Sequence, residues 1–193
     1  VSVTRALLIE RESAVDVPAL ILPLARDARQ VYFWPANREG TGMDFLRYAK
    51  DKHEIEQVYI LYCDLVDHKQ FDGMTGVFTH DAVQDYSTAY NNVVKGVVPL
   101  IASMHANLGE GSNCGPTHHN VVNFRVSVDG DTAESRAHYY AVHKGLNDYE
   151  GQIYSMWGEY HDFWLRTPEG WRVDKRFYSI FLTEGPHQIC GRP

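Results

Sequence analysis

HHNVVNFRVSVDGDTAESRAHYYAVH, residues 118–143, is the stretch whose reading decides the fold. Apolar and polar residues alternate on both sides of Asp129-Gly130, a dipeptide suited to the left-handed positions of a tight hairpin turn. On the second arm, Thr132 to His143, the residues Ala133, Ser135, Ala137, Tyr139, Ala141 and His143 fall on one face. On the first arm, alternation groups His118 with Val122, Phe124, Val126 and Val128, and His119 with Val121, Asn123, Arg125 and Ser127. One of those faces is inward, periodicity does not say which, and a bulge would exchange them.

Working outward, Tyr154 to Arg166 and Trp171 to Thr183 read as two further strands joined by the turn Thr167 to Gly170. Upstream the period changes. Ile55, Val58, Tyr59, Tyr62, Leu65 and Val66 repeat at helical spacing, which predicts a helix over His53 to Phe71. Ile60, Leu61 and Cys63 make it apolar on nearly every side, and Asp67 continues the Ile60, Cys63 row as a carboxylate at the end of an apolar stripe. A short second helix carrying Phe71, Met74, Val77 and Phe78 follows, then a strand over Ala82 to Tyr86. Val93 to Met104 reads as a helix with Pro99 as kink or first turn, and Gly109 to Pro116 as a loop. Helices first and a long antiparallel meander afterwards imply an α+β fold, a cone-shaped curved antiparallel sheet wrapped around the N-terminal helices. Residues 1–50 are expected to form an N-terminal arm, 51–185 the domain and 186–193 a tail.

With 193 residues, 44% of them apolar and 22% charged, the chain suits one globular domain. A net charge of −7 with the signs interspersed argues against nucleic acid and against a polybasic membrane patch. Three widely spaced cysteines, Cys63, Cys114 and Cys190, make neither a zinc knuckle nor a disulfide framework. No apolar run reaches membrane-spanning length, and the first residues carry charges where a secretory signal needs none, so a cytoplasmic protein is expected. The many histidines lack an HExxH or tight His-x-His spacing, and no glycine-rich phosphate loop is present, so no metal and no cofactor are expected.

Several spaced features between Glu54 and Thr183 carry a resemblance. They are Tyr62-Cys-Asp-Leu-Val-Asp67 with Lys69, Phe71 and Asp72, Thr117-His-His119 with Asn123, and Asp129-Gly-Asp-Thr-Ala133. Gly158-Glu-Tyr160-His-Asp162, then Arg166 with Gly170-Trp-Arg172, complete them. In this order they resemble the SnoaL-like branch of the nuclear-transport-factor-2-like superfamily. Within it the chain looks most like elimination enzymes that need no cofactor: scytalone dehydratase, hexachlorocyclohexane dehydrochlorinase and bile-acid dehydratase.

The resemblance implies an Asp–His dyad, with Asp67 at the end of the first long helix and His119 at the start of the central strand. Tyr86 and His143 match further catalytic positions of scytalone dehydratase, and Tyr62 matches a tyrosine of bile-acid dehydratase. Arg166 falls near a late-strand arginine of the dehydrochlorinase, and His118, Tyr160 and Trp157 are further candidates to bind substrate. Departures are Val66, where scytalone dehydratase has Tyr, and Gly158 and Tyr160, where it has Ser and Asn; scytalone itself is not the expected substrate.

The chemistry suits the residue types. A proton beside a carbonyl is taken by a group whose pKa lies near neutrality, and a carboxylate behind the imidazole fixes its tautomer and stabilises the imidazolium. Beside these roles stand plainer ones: Asp67 as a helix-end residue, Tyr62 and Tyr86 as core tyrosines, His143 in a closely packed layer, Arg166 paired with Asp162 or Glu159. The expected protein is a lyase acting on a small hydrophobic, aromatic or polycyclic substrate, with an isomerase or cyclase as the nearest variant. A ligand carrier or a module like the β-subunits of ring-hydroxylating dioxygenases is the non-catalytic alternative. A homodimer or homotrimer is expected.

Overall fold

The computed structural model describes residues 45–191, so the N-terminal arm expected over residues 1–50 lies, up to residue 44, outside the described residues. Helix α1 spans Phe45–Asp67, and a 3-10 turn, Phe71–Gly76, leads into strand β1, Phe78–Asp85. The short helix α2, Ser87–Tyr90, and strand β2, Val93–Lys95, precede helix α3, Val97–Leu108. The strands β3 (Cys114–Asp129), β4 (Thr132–Gly145), β5 (Ile153–Thr167) and β6 (Gly170–Glu184) follow, and a last 3-10 turn covers His187–Ile189. No helix among the described residues is long and apolar enough to cross a membrane.

The strands form one curved, open six-stranded sheet in the order β2-β1-β6-β5-β4-β3. The meander β3 to β6 is antiparallel as the sequence predicts, but β1 pairs parallel to β6. Those two strands meet from distant parts of the chain, where no hairpin turn imposes an antiparallel pairing.

Helix α1 ends four residues before the expected Phe71. Lys69 takes a left-handed φ of 58°, its N–H bonds Val66 O at 3.1 Å, and Gln70 N–H bonds Leu65 O at 2.8 Å. This double bond pattern closes a helix whose last regular residue is Asp67. The second expected helix shrinks to a 3-10 turn holding Gly73 and Gly76, which releases Phe78 to begin β1. The segment expected as a helix from Val93 is split at Gly96, whose φ of 87° ends β2; Pro99 then sits in the first turn of α3, where its missing N–H costs nothing.

The buried layer lies between α1 and the concave side of the sheet. Ile55, Tyr59 and Val66 of α1 are fully covered, with Ala137, Tyr160, Trp164 and Val173 beneath them. The small residues of β4 make space for large rings. Ser135 takes an indole N–H from Trp164 at 2.7 Å and shares a hydrogen bond with the Tyr59 hydroxyl at 2.9 Å.

In β3 strict alternation fails at one point. Pairing slips by one residue between Val122–His138 and Arg125–Arg136, where Asn123 adopts φ 58°. This bulge puts His119 and Val121 on the same side as Phe124, Val126 and Val128, while His118, Asn120, Val122 and Arg125 face out. The unbroken alternation that joined His118 to Val126 is therefore corrected.

Candidate active site

Asp67 closes α1, the end of a helix where the backbone carbonyls repel a negative charge. No basic residue of the last turn offsets it. The opening of β3 does so instead. Thr117 donates its hydroxyl to Oδ1 at 2.9 Å, His119 donates Nδ1–H to Oδ1 at 2.7 Å, and the His119 backbone N–H reaches Oδ2 at 2.9 Å. Burial alone would raise the Asp67 pKa; the His119 ring, the His119 amide and the Thr117 hydroxyl outweigh it and hold the carboxyl at about 2. A carboxylate can only accept, which assigns the proton to Nδ1 and leaves Nε2 of the neutral ring with a lone pair. The His119 side chain is only 7% exposed.

His119 forms part of the wall of a cavity of about 300 Å³. Tyr62 and Val66 come from α1, Leu100, Ser103, Met104 and Asn107 from α3, and His143, Met156, Tyr160 and Tyr178 from the sheet. Tyr86, Tyr90, Asn92 and Val94 line another side, and His187 and Cys190 a further one. Five tyrosines, Tyr62, Tyr86, Tyr90, Tyr160 and Tyr178, are part of this wall. Burial raises the pKa of Tyr62, Tyr86, Tyr160 and Tyr178, so these phenols remain protonated and can donate.

Beneath them Arg176 is fully buried, bonded to Asp162 at 2.9 and 2.7 Å, with its guanidinium 4.0 Å from the Tyr160 ring and 4.7 Å from that of Tyr62. Its positive charge partly opposes the effect of burial on both phenols.

His143 stands edge-on to His119, ring centres 5.3 Å apart. Its Nδ1 lies 3.3 Å from the Tyr154 carbonyl, which can only accept, so Nδ1 carries the proton and Nε2 is an acceptor. Burial, reinforced by the neighbouring His119, pushes its pKa down to about 3. Its imidazole is therefore neutral at ordinary pH.

Of the residues singled out in the sequence, His119, His143, Tyr62, Tyr86 and Tyr160 line the cavity, with Asp67 directly behind His119. Three others lie outside it. The His118 side chain is 71% exposed, its Nδ1 3.6 Å from the outer oxygen of Asp67, because neighbours on a strand face opposite ways. Trp157 stacks on Tyr140 at 4.9 Å and does not line the cavity, which its neighbour Met156 does. Arg166 forms ion pairs with Asp51 at 2.8 Å and Asp131 at 3.0 Å and covers the Trp171 ring, so the expected pairing with Asp162 or Glu159 is replaced. Those two carboxylates are held by Arg176 and Arg136.

The sequence gives no sign of Tyr90, Met156, Tyr178 or Arg176 as site residues, whereas Thr117 stands in the motif Thr117-His-His119, two residues before His119 and hence on its face. Among the described residues no three His, Cys, Asp or Glu side chains converge on a site that would hold a metal ion.

Residues 47–177 match the family described as SnoaL-like domain. An uncharacterised protein of Mycobacterium tuberculosis is 34% identical over 128 residues, 65% of this chain and 82% of its own. A Novosphingobium aromaticivorans protein, provisionally named an aromatic ring hydroxylase, is 26% identical with a TM-score of 0.66, over 74% of this chain and 97% of its own. A second protein of that species, provisionally named a scytalone dehydratase, has a TM-score of 0.64 at 19% identity, over 77% and 94%. A hexachlorocyclohexane dehydrochlorinase of Novosphingobium barchaimii has 0.62 at 15% identity, over 77% and 99%. The last two share the fold, which is also that of a nuclear-transport-factor-2-like protein of Salmonella enterica.

Proposed function

The chain belongs to the SnoaL-like domain family, and on that premise we propose that it is a lyase that eliminates a small leaving group, water first among them, from a hydrophobic aromatic substrate. The observation that carries this reading is the 2.7 Å bond from His119 Nδ1 to a carboxylate, which leaves Nε2 free on a ring that lines a cavity with five tyrosines in its wall.

In the proposed reaction Nε2 of His119 takes a proton from the carbon beside a carbonyl. Asp67 stabilises the imidazolium that forms. The protonated phenols of Tyr62, Tyr86 and Tyr160 donate to the developing enolate oxygen, each worth on the order of 10²-fold in rate. As the carbon–oxygen bond breaks and the double bond forms, the imidazolium returns its proton to the departing hydroxide, and water leaves. His143, neutral and with a lone pair on Nε2, would accept a hydrogen bond from a substrate hydroxyl; it is not the acid. A cavity of about 300 Å³ is at the small end for ligand sites and fits a fused pair of rings.

Isomerisation by the same base is the nearest variant: the His119 imidazolium returns its proton to another carbon of the dienolate instead of to a departing hydroxide. Both variants begin with the same step, and the test reads that step. The protein is incubated in deuterated water with α-tetralone, and with its analogue bearing a hydroxyl β to the carbonyl, which yields α-naphthol on loss of water. Expected are catalysed deuterium uptake beside the carbonyl and naphthol release, both falling on the order of 10³-fold or more in His119→Ala and Asp67→Asn while the circular dichroism spectrum is retained. Equal rates in wild type and both variants would end the mechanism.

A further inference from the structure

Two thiols that the proposed reaction does not use meet beside the cavity. Cys114 opens β3 and is buried; Cys190 follows the last 3-10 turn and lines the cavity. The chain on either side holds them together. Asn113 N–H bonds Gly191 O at 2.9 Å, and the Asn113 side-chain amide donates to Gln188 O at 3.3 Å. These bonds bring the two chain segments side by side, and the interaction with its neighbour is the first cause of the shift in each thiol's pKa. Lys69 Nζ lies 3.9 Å from Cys114 Sγ and 3.4 Å from Thr117 Oγ1, the hydroxyl that donates to Asp67. The turn His187–Ile189 is otherwise anchored by the fully buried Ile189.

We propose that Cys114 and Cys190 are a modification site, joined into a disulfide by a hydroperoxide, and that the bond fixes the turn His187–Ile189 as a covalent wall of the cavity. The Cys114 sulfur attacks the peroxide, the O–O bond breaks, and the alcohol leaves; the sulfenic acid formed is displaced by the Cys190 sulfur, which releases water. Two thiols are oxidised, and one hydroperoxide is reduced to an alcohol and water. The two sulfurs are suited to different steps. The interaction with Cys190, opposed by burial and aided by the Lys69 ammonium, lowers the Cys114 pKa, while the same interaction and burial raise that of Cys190. Cys63 stands apart on α1, where burial, with Asp67 adding to it, pushes its thiol up to about 12. It serves as an internal control.

The test treats the whole chain, native, with an equimolar amount of hydrogen peroxide, then counts thiols after denaturation and maps the peptides. Titratable thiols are expected to fall from three to one, with a single link between the peptides of Cys114 and Cys190 that dithiothreitol reverses. Amide exchange over residues 187–191 is expected to slow roughly tenfold in the oxidised protein. Cys63→Ser should form the same link, and Cys114→Ser and Cys190→Ser none. Three surviving thiols, a link through Cys63, or a link formed only in urea would each overturn the site. Unchanged exchange over 187–191 in the linked protein would overturn the wall.

Discussion

His143 should make the protein sensitive to mild acid. Above its ordinary range the ring is neutral in both the folded and the unfolded chain, and its contribution to stability is complete. As pH falls below about 6.5 the unfolded chain takes up a proton at this position. The folded chain does not until about pH 3, because the charged ring would have to sit in the buried layer beside His119. Over that window the unfolded state binds more protons, so stability falls with falling pH, by up to ~1.4 kcal/mol per unit. By pH 4 the loss from this one group reaches about 3 kcal/mol, a large share of the 5–15 kcal/mol typical of a domain.

The clean comparison is His143→Phe, which keeps a flat ring and cannot titrate. The substitution also breaks the bond to the Tyr154 carbonyl, so the variants are compared as a difference between two pH values. Urea unfolding of both proteins at pH 7 and pH 4 should show the stability gap moving by about 3 kcal/mol in favour of the variant. Titrating groups remote from this position are common to both proteins and largely cancel. A gap that stays constant within about 0.5 kcal/mol, or a His143 imidazole resonance that titrates near pH 6.5, would refute the reasoning.

Asp67 carries the opposite charge and titrates lower: its bonds to His119 and Thr117 contribute about 2 kcal/mol, complete above the ordinary carboxylate range and lost as pH falls through about 2. The stability gap between wild type and Asp67→Asn in urea should therefore narrow below pH 4. Arg176→Met leaves Asp162 buried without its partner and should cost roughly 3–5 kcal/mol, whereas the double change with Asp162→Leu should recover most of it; equal losses in the two proteins would contradict the pairing. At Gly158 an added Cβ would lie 2.0 Å from the Ser179 carbonyl oxygen and 2.5 Å from the Tyr139 hydroxyl, so Gly158→Ala should lower stability by at least ~2 kcal/mol in thermal unfolding.

What the sequence reveals of this fold is what local periodicity records. The helical row from Ile55 to Val66 and the hairpin at Asp129-Gly130 need only neighbouring residues to be recognised, and both are present. The parallel pairing of β1 with β6 joins residues from opposite ends of the described chain and leaves no local trace. The same is true of the cavity wall. Tyr178 comes to face Tyr160 only through the β5–β6 register, and Arg176 is placed under both rings by its bond to Asp162. Arg166 and Trp157 show the converse case, since residue type and approximate strand position suit a ligand site while Arg166 covers the Trp171 ring and Trp157 stacks on Tyr140.

The bulge at Asn123 explains how one strand can serve both the core and the candidate site. His119 and Val126 are separated by an odd number of residues, so a regular strand turns them to opposite faces. Burying Val126 and Val128 in such a strand would send His119 outward and put His118 against the end of α1. The fold needs the valines, because Trp164 and Tyr59 pack in that layer. The proposed base needs His119, whose ring and amide both reach Asp67, with Thr117 on the same side. One extra residue in β3 satisfies both demands. Asn is among the few non-glycine residues that tolerate the left-handed conformation found at that point. A carboxylate at the unfavourable end of a helix is thus supported by a strand whose own regularity is broken to reach it.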